Sequence, residues 1–155
     1  MTKKIFTFLM LFSFHSLASD FDLVGSYLLE YSVFKIDVYK ISYFKGKETE
    51  KLVLDYKIDV KKEHSLEGWK VGLAHKMKDD LFRQKAQWIF DHTSDAKKGD
   101  SFIIIKTGQL IEFQMNEKLL GKTTDPIIAE LAFEPWLGEK PIDKNLKASL
   151  LGTNK

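Results

Sequence analysis

The chain has no cysteine in its 155 residues and a single arginine, Arg83. Without cysteine there is neither a disulfide nor a thiol to accept a bacterial lipid anchor, so packing alone must hold any exported form together. Lysine carries almost all of the positive charge and is interspersed with acids, as in Lys45-Gly46-Lys47-Glu48 and Lys61-Lys62-Glu63. Lys plus Arg number 24 against 22 acids; removing Lys3 and Lys4 with the leader described below leaves 22 minus 22, a balance of zero. A surface of that kind lacks the basic stripe that tracks phosphates, which excludes a nucleic-acid partner. Also missing are the Gly-x-Ser-x-Gly elbow, the phosphate loop and the dinucleotide fingerprint. His64, His75 and His92 stand at spacings that match no usual zinc motif. They read as surface or capping residues, and neither a metal nor a cofactor is expected.

What is present is 44% hydrophobic and 30% charged, an ordinary globular composition with enough apolar residues for one core. The first residues differ from the rest. Lys3-Lys4 precedes the apolar run Ile5 to Phe14, and His15-Ser16-Leu17-Ala18-Ser19 follows. This pattern predicts a secretory signal peptide over residues 1–19, cut after Ala18 or Ser19, with a single domain over 20–155 and a periplasmic destination. The run is too short for a membrane span, which needs roughly 20 apolar residues, and no later segment reaches that length.

Alternation dominates the next part. Tyr27, Leu29, Tyr31 and Val33 share one face of a strand over Leu23 to Phe34, and Tyr39, Ile41 and Tyr43 share one face of a second over Lys35 to Phe44. Lys45 to Lys51 reads as a hairpin turning on Gly46. Leu52, Leu54, Tyr56, Ile58 and Val60 then predict an unbroken strand to Lys61. At His64 the period becomes helical, through Leu66, Trp69, Leu73 and Met77, with Gly68 and Gly72 forming a small-residue face able to approach the sheet. Asp79-Asp80 opens a second helix carrying Phe82, Ala86, Ile89 and Phe90, and Asp91 to Asp100 is a loop. Phe102 to Ile105 and Leu110 to Met115 form a hairpin about Gly108, and Asn116-Glu117 turns the chain again before Leu119-Leu120.

The final third ends in two short helices. Asp125-Pro126 is a helix start with an apolar face of Ile127, Ile128, Leu131 and Ala132, and Pro135 is expected to stop it. Trp136-Leu137 then forms an apolar plug, with Gly138 taking a positive φ at the reversal. Asp143 caps the last helix, Leu146 and Leu150 share its face, and Gly152 ends it. The order of elements is α+β, a large antiparallel sheet covered on one face by helices.

Chemistry is sparse. Asp79-Asp80 has a sufficient reason to exist as a helix start, and Arg83 reads as a helix-surface residue. Tyr27, Tyr31, Tyr39 and Tyr43 can either pad the sheet or line a pocket for an amphipathic ligand, since each offers a ring and a hydroxyl.

Trp136-Leu137-Gly138-Glu139-Lys140-Pro141 followed by Leu150-Leu151-Gly152 resembles the C-terminal signature of bacterial chalcone isomerase-like proteins. Further pieces agree in order: Val24-Gly25, Val38-Tyr39-x-Ile41-x-Tyr43, Leu52-x-Leu54-x-Tyr56, Gly68-Trp69, Gly99-Asp100-x-Phe102 and Asp125-Pro126. The resemblance implies a chalcone isomerase-like fold with a ligand cleft between sheet and helices. Plant enzymes of the family rely on an arginine just after a glycine in the first strand. Here Gly25-Ser26-Tyr27 stands in that place, and no arginine occurs between Asp20 and Asp80. Other branches bind fatty acids without catalysis, and their arginine is missing as well. The resemblance therefore implies an exported protein without chalcone isomerase activity that holds a small apolar or acyl ligand, with Tyr27 and Tyr39 as ligand-binding residues. Two alternatives stand beside it: an intramolecular lyase or isomerase acting on an unsaturated carbonyl compound, and an envelope interaction module with no ligand.

Overall fold

The computed structural model describes residues 21–31 and 36–154, with the side chain of residue 31 outside the description. The signal peptide expected over residues 1–19 and the junction of the first two expected strands, which includes Val33 and Phe34, lie outside the described residues. Six strands form one sheet in the order of the chain: β1 (Asp22–Tyr31), β2 (Ile36–Lys45), β3 (Thr49–Tyr56), β4 (Ser101–Thr107), β5 (Leu110–Met115) and β6 (Lys118–Thr123). Every neighbouring pair is antiparallel. Helices α1 (Lys62–Leu73) and α2 (Asp80–Asp91) interrupt the sheet after β3, and α3 (Pro126–Leu137) and α4 (Lys144–Leu150) follow it. The fold is the expected α+β sheet with helices.

Alternation and register together build one buried face. Ile41 pairs with Leu54, Leu54 with Phe102, Leu52 with Ile104 and Ile104 with Phe113, so the apolar residue of each strand meets that of the next. All six are buried. Against them lies an aromatic layer, in which Trp69 of α1 stacks on Phe113 at 6.0 Å and meets the edge of Trp136 of α3 at 5.1 Å. Leu73, Ile89, Leu131, Leu146 and Leu150 complete the helix side with no exposed surface.

Turn and cap chemistry explains the joints. Asp79, Asp125 and Asp143 each accept hydrogen bonds from two backbone N–H groups at the start of α2, α3 and α4. Gly108, with φ +57°, turns β4 into β5, and Asn116 and Glu117, at φ +50° and +67°, make a two-residue turn into β6. Gly152 takes φ +66° and ends α4 as expected.

Four local expectations are corrected. Pro135 lies inside α3, which continues to Leu137. In the last turn a missing N–H costs a single hydrogen bond, and the neighbouring carbonyls find other donors: Gly138 N–H reaches Glu134 and Ile142 N–H reaches Pro135. Gly138 has φ −71°, so it is not a positive-φ pivot. Its role is spatial, because a Cβ there would collide with the Glu134 carboxylate. Gly72 abuts Pro135 of α3 rather than the sheet, and Gly68 has open space around it. Finally, β3 ends at Tyr56. Ile58 and Val60 leave the sheet as the chain climbs toward α1, with Val60 joined to Ala96 by an isolated bridge.

Candidate functional site

That departure opens a cavity. Between one end of the sheet and the α1–α3 layer lies a space of about 720 Å³, within the range of small-molecule sites. Its sheet wall is made by Leu29, Val38, Tyr39, Leu54 and Tyr56 with Phe102 and Met115. Its helix wall is Gly68 and Trp69 of α1 with Pro135 and Trp136 of α3. The absent Cβ of Gly68 leaves that wall set back. Ile36, Ile58, Val71 and Ile142 stand around the opening at 44%, 36%, 71% and 37% exposure, which gives the mouth an apolar rim interrupted by His64, Glu67 and Asp59.

A buried hydroxyl–indole pair sits in this lining, apart from Thr93, whose hydroxyl is taken up by the Ile89 carbonyl. Trp136 Nε1–H donates to the Tyr39 hydroxyl oxygen at 3.0 Å, both residues being buried. The Tyr56 ring meets Tyr39 edge-on at 5.8 Å. Burial pushes the Tyr39 phenol far above its usual range, outweighing the lowering effect of the Trp136 bond. Tyr56 is raised for the same reason, partly offset by a hydrogen bond with Ser65. Both are neutral donors at physiological pH.

Trp136 is held from three directions. Pro135 fills the notch at Gly72, the preceding Glu134 is buried and bonded to His75 Nε2 at 2.7 Å, and Lys147 Nζ reaches the carbonyl of Gly138 at 2.7 Å. A residue expected only as a core plug therefore also forms part of the cavity wall.

The expected site residues separate. Tyr39 lines the cavity. Tyr27 is outside the lining, and its hydroxyl lies 3.5 Å from Asp143 of the loop before α4. Burial, with the Asp143 carboxylate beside it, raises its pKa. Tyr43 shares the core face with Tyr39 but bonds Glu50 at 2.9 Å, and burial with that carboxylate pushes its phenol up to about 12. Tyr56, Trp136 and Phe102 were not singled out as site residues by the sequence, although the Tyr56-Ile58-Val60 alternation outlasting the strand marks the wall they share.

The histidines have separate settings. His64 is exposed at the mouth 3.6 Å from Glu67, and His92 caps α2 through Nδ1 and the carbonyl of Trp88 at 2.7 Å. His75 departs from the surface reading through its pair with Glu134. Arg83 lies on the exposed face of α2 beside Asp80. Among the described residues no three His, Asp or Glu side chains converge as a metal site, and no helix is long and apolar enough to cross a membrane.

The sequence profile of chalcone isomerase-like proteins matches residues 31–152. The chain belongs to the chalcone isomerase-like family. Its fold is similar to that of a solved Arabidopsis thaliana fatty-acid binding protein, with TM-score 0.65 and 14% identity over 88% of this chain and 89% of that one. No curated protein matches in sequence. In this chalcone isomerase-like chain Gly25 lies against the carbonyls of Ser149 and Leu150, so the segment where the resemblance implies an arginine is packed under α4.

Proposed function

We propose that this protein is a non-catalytic carrier or sensor of a small apolar or acyl ligand, held between sheet and helices and exported to the periplasm by its N-terminal signal. The observation that carries the reading is the roughly 720 Å³ cavity, with walls that are mainly apolar and a buried hydroxyl–indole pair among them. An interaction module without a ligand would have that space filled by side chains. The similarity in fold to a fatty-acid binding protein supports the same class of ligand. Isomerisation that relies on an arginine, as in the plant enzymes, is disfavoured because no arginine is found among the described lining residues; the alternative in which tyrosine hydroxyls polarise the carbonyl is tested below.

Mass spectrometry of an organic extract of the protein, purified from its own envelope, should yield a near-stoichiometric apolar compound. N-terminal sequencing of the same sample should begin at Ser19 or Asp20. With ligand removed, the neutral probe N-phenyl-1-naphthylamine should bind and fluoresce, and Gly68→Trp, which fills the set-back wall, should suppress that signal while the circular dichroism stays native. A clean extract together with no probe binding defeats the carrier reading. Turnover of 2'-hydroxychalcone, followed by its absorbance, defeats the non-catalytic one.

A further inference from the structure

Tyr39 is 9% exposed and lines the cavity, and its hydroxyl oxygen already accepts the Trp136 indole N–H at 3.0 Å. A phenol that accepts one bond still has its own hydrogen to donate, and among the described residues no acceptor takes it. Buried donors are matched by acceptors in folded proteins, so the free hydrogen beside an apolar space points to an acceptor on the occupant. The charges around that space restrict what the acceptor can be. Among the described lining residues there is no lysine or arginine; the full charges are Asp59 and Glu67, both acidic. His64 is exposed and already beside Glu67, and Asp59 is engaged with the backbone N–H of Lys98 and, on its exposed side, with Lys97 Nζ at 3.4 Å, so that lysine is already paired. A carboxylate drawn to Tyr39 would lose its hydration with no cation among the described lining residues to replace it, and would meet the Glu67 carboxylate at the rim. A ketone, ester or amide oxygen accepts the same hydrogen bond without that penalty.

We propose that the ligand of this cavity is a neutral apolar molecule whose carbonyl-type oxygen accepts a hydrogen bond from Tyr39, and that the site discriminates against free carboxylates. This rests on the carrier reading and assigns the chemical class of its ligand.

The test is displacement of bound N-phenyl-1-naphthylamine at pH 7.5 by three probes of equal chain length: decanoic acid, methyl decanoate and decane. The ester should compete at least about tenfold better than the acid, from the cost of burying an unpaired charge. It should also compete about threefold to tenfold better than the alkane, from one hydrogen bond. In Tyr39→Phe the ester should fall to the level of the alkane. The unaltered protein alone decides the matter through the ester-to-acid and ester-to-alkane ratios, so a poorly folding variant leaves the test intact. Acid binding as tightly as ester, or ester no tighter than alkane, overturns the proposal while leaving an apolar carrier in place. Failure of the naphthylamine probe itself to bind overturns the carrier reading and this inference with it.

Discussion

Gly68 and Gly72 lie one turn apart on α1 and should respond differently to the same substitution. Alanine in a helix is favoured over glycine by about 1 kcal/mol, partly because the unfolded chain loses freedom. At Gly68 an added Cβ meets nothing within 4 Å, so Gly68→Ala should keep that gain and raise the melting temperature by about 2–4 °C. At Gly72 the same atom would lie 2.6 Å from Pro135 Cβ, 2.9 Å from its Cγ and 3.2 Å from its Cα. Carbon atoms rest comfortably at about 3.5–4.0 Å, so α1 and α3 must move apart by about 1 Å. Overpacking of this size costs about 1–3 kcal/mol, which cancels or exceeds the propensity gain. The two variants should therefore differ by about 1–3 kcal/mol. Urea unfolding followed by tryptophan fluorescence measures this directly, with an unchanged slope required for each variant. Equal stabilisation by both substitutions would refute the close α1–α3 approach and, with it, the account of why Pro135 is tolerated in a helix.

Two other expectations concern the turn and the caps. Glu117→Gly should stabilise by about 0.5–1 kcal/mol, because Glu117 holds φ +67° in a two-residue turn that Asn-Gly suits better; no change in the denaturation midpoint would count against strain at this site. Asp125 has its pKa lowered by Lys85 and by the N–H groups of Ile127 and Ile128, burial opposing. It stays ionised in the folded state at pH values where the unfolded chain takes up a proton, so its contribution is complete above the ordinary aspartate pKa and fades as pH falls through the lowered one. Asp125→Asn keeps a good N-cap without the charge. The stability of this variant, from urea titrations between pH 6 and pH 3, should decline less steeply than that of the parent; identical slopes would remove Asp125 from the acid response.

The legible parts of the sequence were those whose cause is local. Alternation through Leu52, Leu54 and Tyr56 found β3, and Asp79, Asp125 and Asp143 marked helix starts that carry real cap bonds. Gly138 and Pro135 misled because their reasons are tertiary, a carboxylate packed beside one and a glycine notch opposite the other. Tyr27 and Tyr39 stood as equals because both came from the resemblance, and period two, which puts both on one face, does not separate them. Which end of that face stays open depends on where Ile58 and Val60 leave the sheet, and alternation continues through that departure unchanged. His75 gave no signal at all, because its partner Glu134 lies in a helix 59 residues away.

The last helix roofs the first strand. Ser149 and Leu150 rest their carbonyls over Gly25, the next glycine, Gly152, lies beside Val24, and both leucines of α4 are fully enclosed. A chain made from its N-terminus meets this arrangement in reverse: β1 (Asp22–Tyr31) is made more than a hundred residues before its cover, α4 (Lys144–Leu150). Until then the strand is an uncovered apolar ribbon, open to whatever binds such ribbons in the cell. Shortening the C-terminus by a single turn would leave the first strand, not the last helix, as the weak point of the molecule.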